Sequence, residues 1–319
     1  MAEALAATPT RLDPRKFRDP LVTANGDRRA QVALKFLDTL WFNTGTLCNL
    51  TCRHCYIESS PRNDRLVYLS AAETAEYLDE IEALGLGTKL IGFTGGEPLM
   101  NPELPAMLEL ALARGFRALV LTNAMKPMHK AKPALLALRK RHGERLQIRV
   151  SIDHYDRGVH EAERGRRSWQ PTIDGLLWLA ANGFAVSVAS RRLSGETEAE
   201  IRRGFAALFD ELKLAIDAGD PIALTVFPEM DEAADVPEIT EACWGLLSKS
   251  PDSVMCASSR MVVKFKGAVR PSVIACTLLP YDPRFDLGPS LAGALGRVAL
   301  NHPHCAKFCV LGGGACSRG

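Results

Sequence analysis

The sequence predicts an α/β protein: a parallel sheet built from strand–helix units, followed by a small cysteine-rich C-terminal extension. Two observations carry this expectation. Short apolar runs alternate with helical stretches six times between about residues 40 and 248, the pattern of a parallel sheet with right-handed crossovers. From about residue 250 the alternation gives way to one hairpin pattern and a Pro-, Gly- and Cys-rich coil. A doubly wound sheet and a barrel both satisfy the alternation.

Taken in order, residues 1–38 read as an extended arm with Pro9, Pro14 and Pro20, ending in a short helix near Arg28–Leu37. Leu40 to Asn43 reads as a buried strand. Ser70 with Glu73 three residues on is a capping-box start for a helix that runs to Leu84 and stops at Gly85. Strands are expected at Lys89–Phe93, Ala118–Leu121, Leu146–Ile152, Phe184–Ala189 and Ile222–Phe227. The helices between them are expected at Glu103–Arg114, Pro133–Arg141, Thr172–Ala181 and Glu198–Ala218, with another inside Ala233–Ser248. Met261–Lys266, Gly267 and Val269–Ala275 read as a β-hairpin. The expected organisation is an arm at 1–38, the main α/β unit at 39–249 and the extension at 250–319.

The 319 residues suit one large α/β domain with an appendage. A formal net charge of +2 offers no broad basic surface, so no nucleic-acid partner is expected, and Arg139-Lys140-Arg141 reads as a solvated helix end. No run is long and apolar enough for a bilayer, and the N-terminus lacks a basic segment before an apolar core. No membrane partner is therefore expected, and the location is expected to be cytoplasmic. In a reducing compartment, nine cysteines point to metal ligation rather than disulfides, and the odd number agrees.

Ligands of such folds bind at the C-terminal ends of the strands. The chemistry-bearing residues follow strand ends: Cys48, Cys52 and Cys55, then Gly95-Gly96-Glu97, Thr122-Asn123 and Asp153. The spacing C-x3-C-x2-C puts three thiols on one short loop. Three thiolates hold three irons of a cubane and leave the fourth open to a ligand; a zinc site completed by a distant fourth ligand, or with His54, is the alternative. His54 and Tyr56 read as packing residues. In Thr94-Gly95-Gly96-Glu97-Pro98 the glycines allow close backbone approach, and Glu97 offers an acid to an ammonium group; read alone, it is a turn with a surface acid.

Together, the cysteine loop, the Gly95-Gly96-Glu97-Pro98 turn and the six-unit pattern resemble the radical S-adenosylmethionine (SAM) superfamily over about residues 40–230. The resemblance implies a partial (β/α)6 TIM-like barrel. It implies a [4Fe–4S] cluster on Cys48, Cys52 and Cys55, with SAM chelating the open iron through its amino and carboxylate groups. It places Gly95, Gly96 and Glu97 at the methionine amino end. Ser151 and Asp153 fall at the ribose or methionyl part, and Thr122 and Asn123 in the wall of the same cavity. Arg191, after the fifth strand, is positioned for the SAM carboxylate. Arg164 reads as a structural residue or a SAM contact. The fifth strand, Val186-Ser187-Val188-Ala189, shows no clear adenine-contact pattern.

Cys256, Cys276, Cys305, Cys309 and Cys316 remain in the extension, whereas Cys243 beside Trp244 reads as a buried apolar residue. Four thiolates satisfy a second [4Fe–4S] cluster, which leaves one of the five spare. Zinc is the alternative, with His302 or His304 joining the thiolates. The order Cys256, Gly267, Cys276 is similar to the SPASM and twitch extensions of the superfamily, which implies one auxiliary cluster. The expected function is reductive cleavage of SAM to a 5′-deoxyadenosyl radical that takes hydrogen from a substrate. A one-electron donor such as flavodoxin or ferredoxin is implied. Because residues 1–38 are too short for a folded leader-binding domain, a small-molecule substrate is expected, with a peptide or protein substrate as the alternative. A non-catalytic iron–sulfur or zinc module is the third reading.

Overall fold

The computed structural model describes residues 11–193, 195–228 and 230–314. Its elements in chain order are β1 (Gln31–Val32), β2 (Thr39–Asn43), α1 (Ala71–Ala83), β3 (Leu90–Thr94), α2 (Leu104–Ala113), β4 (Arg117–Thr122), α3 (Lys126–His142) and β5 (Leu146–Ser151). They continue with α4 (Arg157–Arg164), α5 (Trp169–Ala181), β6 (Ala185–Arg191), α6 (Glu198–Glu211), β7 (Leu224–Phe227), α7 (Cys243–Leu246), β8 (Ser259–Val263), β9 (Ser272–Ile274) and β10 (Val298–Ala299).

An eight-stranded sheet runs in the order β7-β6-β5-β4-β3-β2-β8-β9. Neighbours from β7 through β2 to β8 pair parallel, and β9 closes the far end antiparallel to β8. With β7 at one edge and β9 at the other, the sheet is open, as a partial barrel must be. The expected six-unit α/β fold is present, and the expected hairpin extends the same sheet.

Alternation along the strands builds two cores, because successive side chains point to opposite faces. Leu40 and Phe42 of β2, Ile91 and Phe93 of β3, and Ala118 and Val120 of β4 pack against the helices. Trp41, Leu90 and Leu119, from the same strands, face the other way into a second core with Cys256, Met261, Ile274, Cys305 and Phe308. The C-terminal region thus covers the inner face of the sheet, and the helices cover the outer one.

Local signals account for much of the boundary placement. Ser70 accepts the Glu73 N–H at 3.1 Å while Glu73 accepts the Ser70 N–H at 2.9 Å, the reciprocal bonds of a capping box. Thr197 and Glu200 do the same for α6. Long-range pairing overrides the expectation elsewhere. The expected helix at Arg28–Leu37 is absent: the Ala30 N–H donates to Ile239 and the Ala30 carbonyl accepts from Leu300, while β1 pairs with β10. Residues 233–248 hold only the short α7, because Val236 and Ile239 are extended into the second core. Helix α3 begins at Lys126, ahead of Pro133, which it accommodates, since Met128, Leu135 and Leu138 form its buried stripe. Helix α6 ends at Glu211, where Lys213 turns left-handed at φ 55° and Leu214 donates back to Phe209.

Candidate functional site

The cysteine loop leaves the C-terminal end of β2 and is laced to the end of β3. The Thr44 N–H donates to Thr94, Gly96 to Gly45 at 2.8 Å, and Glu97 to Leu47 at 3.1 Å. This lacing explains both glycines. Gly95 has φ +136°, which side chains rarely adopt, and a Cβ on Gly96 would stand 2.3 Å from the Leu47 carbonyl oxygen. Gly96→Ala should therefore push residues 46–48 away and lower first-site iron after anaerobic reconstitution. Gly245→Ala, at a position with open space around it, should leave the iron count unchanged.

Glu97 is buried and accepts three bonds: Thr122 Oγ1 at 2.7 Å, the Asn123 N–H at 2.8 Å and the Leu99 N–H at 3.1 Å. Burial raises its pKa, and the three donors only partly offset this. Its carboxylate ties the end of β3 to the end of β4 behind the cavity wall. Asn123 in turn donates to Asn49 at 2.9 Å, reaching into the cysteine loop.

Helix α4, absent from the sequence reading, fastens the loop from the other side. Its Glu163 carboxylate accepts the His54 N–H at 2.8 Å and meets the His54 ring Nδ1 at 2.7 Å, while its carbonyl accepts from Arg53. Arg191 donates to the His54 carbonyl at 2.5 Å. Asp153, after β5, is buried between Arg164, 2.8 Å away, and Arg191, 3.4 Å away. Burial alone would raise the Asp153 pKa, but the two arginine charges outweigh it and the net shift is downward.

These elements line a cavity at the C-terminal edge of the strands, open to solvent on one side, with about 940 Å³ of space. Cys48, Cys52, Cys55, Gly95, Gly96, Thr122, Asn123, Ser151, Asp153 and Arg191 all line it, as does Arg164. Glu97 does not; it stands behind the wall. Ala189 is the contribution of the fifth strand's Val186–Ala189 stretch. Tyr56, Ile57, Leu121, Phe227, Leu278 and Phe308 complete the wall. The sequence carried no signal for them, because apolar residues that line a cavity look like core residues.

The donor set fits an iron–sulfur cluster with a polar ligand beside it. The Leu50 N–H points at Cys48 Sγ at 3.4 Å and the Ser59 N–H at Cys55 Sγ at 3.3 Å, bonds of the kind that stabilise cluster thiolates. Ser59 Oγ is buried in the same wall without a partner among the described residues. Burial pushes the Cys48 thiol up to about 12 and also raises Cys52, so these thiols keep their protons until a metal displaces them.

A second, smaller cavity of about 360 Å³ lies under the C-terminal region. Cys256 reaches it from just before β8, Cys276 from just after β9, and Cys305 and Cys309 from positions four residues apart on a π-helical segment, Cys305–Leu311. Burial pushes Cys256 up to about 11 and Cys305 to about 12. The Leu278 N–H points at Cys276 Sγ at 3.4 Å. A single zinc, with Zn–S near 2.3 Å, draws its thiolates to within about 4.6 Å of one another. Among the described residues, no three cysteine sulfurs stand within 4.8 Å of one another. Cys316 lies outside the described residues. Cys243 is half-buried at the start of α7 and lines neither cavity. Leu278 lines both cavities.

The profile described as Radical SAM superfamily matches residues 42–206. The antilisterial bacteriocin subtilosin biosynthesis protein AlbA of Bacillus subtilis (strain 168) is 32% identical over 143 residues, 44% of this chain and 30% of AlbA. Mycofactocin maturase MftC of Mycobacterium ulcerans (strain Agy99) is 29% identical over 167 residues, 51% of this chain and 42% of MftC. The chain therefore matches less than half the length of either relative. The crystal structure of Streptococcus suis SuiB bound to precursor peptide SuiA superposes with a TM-score of 0.58 at 13% identity, over 80% of this chain and 63% of SuiB. That likeness supports the fold.

Proposed function

Because this chain belongs to the radical SAM superfamily, we propose that Cys48, Cys52 and Cys55 hold a [4Fe–4S] cluster, that SAM binds beside it in the 940 Å³ cavity, and that the chain cleaves SAM reductively. The observation that carries this reading is the convergence of the three thiols, the Gly95-Gly96 backbone and the Asp153–Arg164–Arg191 set on one cavity. When bound and reduced, the cluster supplies the electron that splits SAM into methionine and a 5′-deoxyadenosyl radical, which takes hydrogen from the substrate. The chain's own residues position and shield. Gly95 and Gly96 let the backbone approach the ligand closely. Glu97 holds the ends of β3 and β4 in register. Arg164 and Arg191 supply positive charge near a carboxylate. Ile57, Leu121, Phe227, Leu278 and Phe308 make the wall apolar and limit water.

Cys256, Cys276, Cys305 and Cys309 are proposed to hold the auxiliary [4Fe–4S] cluster. Leu278, the wall shared by both cavities, puts that second cluster within reach of an electron from the substrate side, which suits a net oxidation. A small one-electron donor completes the cycle. The substrate is proposed to be a peptide. Support comes from relatives named for bacteriocin biosynthesis and for maturation. It also comes from an adjoining open cavity of about 1200 Å³ that shares Arg191 and is lined by Arg192, Leu193, Thr197, Pro228 and Met230. A small metabolite would need the first cavity alone; an extended chain would run on into the second.

Anaerobic reconstitution followed by incubation with SAM and dithionite tests the reading. Wild type should carry about eight irons, four per cubane, and release 5′-deoxyadenosine. The Cys48/Cys52/Cys55→Ala variant should carry about four and release none. A protein that takes zinc and refuses iron would sink the proposal.

A further inference from the structure

His304 stands in the wall of the four-cysteine cavity with only 3% of its surface exposed. Its Nε2 lies 3.1 Å from Glu232 Oε1. The carboxylate can only accept, so the proton of the neutral ring sits on Nε2 and Nδ1 is left with a bare lone pair. That Nδ1 is buried and has no hydrogen-bond partner among the described residues. An unpartnered buried ring nitrogen calls for an explanation, such as an ion, a ligand or a water. His160 has two such nitrogens but lines neither cysteine cavity, whereas His304 shares its cavity with four thiols. A carboxylate on one ring nitrogen and a lone pair on the other is the arrangement by which proteins orient a metal-binding histidine.

The neighbouring His302 is excluded from the same role. Glu232, His302 and His304 bring their ligand atoms within 4.8 Å of one another, close enough for one ion among the three. However, His302 Nδ1 accepts the His304 backbone N–H at 3.1 Å. That bond keeps the His302 proton on Nε2, which faces Glu232 at 3.8 Å and has no lone pair to offer. A separate ion on this triad would need a doubly deprotonated ring. The lone pair without a use is that of His304, beside the cysteines.

We propose that His304 is an iron ligand of the auxiliary cluster through Nδ1, with Glu232 as the carboxylate that orients it. The inference rests on the auxiliary-cluster reading above. With Cys256, Cys276, Cys305 and Cys309, the cavity then offers five donors to four irons, so one thiol is released when His304 binds. Histidine in place of thiolate removes negative charge from the cluster and raises its potential.

The test uses the Cys48/Cys52/Cys55→Ala variant, in which only the auxiliary cluster can assemble. It is grown with natural-abundance or ¹⁵N-labelled histidine, reconstituted, reduced and measured by pulsed electron paramagnetic resonance. The expected result is about four irons per chain and a nitrogen coupling that changes with the histidine label. In the same background His304→Ala should lose that coupling, keep its iron through the released thiol, and show a more negative midpoint potential. Four irons without a label-sensitive nitrogen coupling would overturn the assignment of His304 and leave the cluster standing. No iron, or zinc in its place, would overturn the auxiliary cluster and His304 together. If His304→Ala fails to load iron, the labelled parent variant decides alone.

Discussion

Asp153→Ala is expected to lower folding stability by about 3–5 kcal/mol, the cost of stripping the partner from a buried ion pair, and to abolish 5′-deoxyadenosine formation in the fraction that still folds. Asp153 is 2% exposed and neutralises two arginines at once, Arg164 at 2.8 Å and Arg191 at 3.4 Å. Arg164 would lose its carboxylate partner, and Arg191 would keep only Glu163, at 3.9 Å. Arg191 also holds the His54 carbonyl, so its displacement would slacken the cysteine loop as well. Anaerobic urea unfolding reads the stability, and iron counting with a SAM-cleavage assay reads the site. Asp153→Asn, which keeps the shape and loses the charge, should fall between wild type and alanine. An alanine variant with wild-type stability and turnover would remove the ion-pair account.

The pH dependence follows from the same group. Its folded pKa is lowered, so the stability it contributes is fully present above the ordinary aspartate value of about 3.9 and is lost as pH falls through the folded value. The wild-type contribution should stay flat across the neutral range and fall away only in acid, and the difference between wild type and Asp153→Ala should shrink there.

Glu238→Ala is expected to cost a similar 3–5 kcal/mol through the second core. Arg29 has no exposed side-chain surface, and Glu238 is 6% exposed. The guanidinium bonds Glu238 and three carbonyls, those of Asp19 at 2.6 Å, Val22 at 3.0 Å and Leu300 at 3.2 Å. Glu238 Oε1, which Arg29 bonds, also accepts the Phe17 N–H, and Oε2 accepts the Ala24 N–H, each at 2.6 Å. One pair thus pins residues 17–30 to the strand region near residue 300. Removing the acid leaves a buried cation and two orphaned N–H groups. The pair Arg29→Met with Glu238→Leu should cost clearly less than the sum of the two single changes, because neither charge is stranded. First-site iron should be unchanged in all of them, since none touches the 940 Å³ cavity.

The features legible in the sequence are those settled by neighbours in the chain. Ser70 and Glu73 announce α1 because a capping box needs only residues three apart. Cys48, Cys52 and Cys55 announce the site because one loop carries all three. Gly95, Gly96, Thr122, Asn123, Ser151 and Asp153 could be grouped because parallel strands bring their C-terminal ends to one edge whatever the loops do. Glu97 reads as a cavity acid and is instead a fastener behind the wall, because its oxygens are taken by the end of β4. Glu163 reads as an ordinary helix acid, and its grip on His54 depends on where α4 packs.

Strand alternation, strand-end chemistry and the two groups of cysteines were therefore readable from residue order, since they rest on local geometry and a repeating unit. Folding decided the rest: that Arg28–Leu37 extends along a distant segment, that the hairpin joins the main sheet, that Cys256, Cys276, Cys305 and Cys309 meet around one cavity, and that His304 lines it. Each depends on which remote segment supplies the partner for a backbone amide, a buried charge or a ring nitrogen. That partner carries no mark in the residues beside it, because hydrogen-bond and charge satisfaction in a buried core is a property of the packed whole.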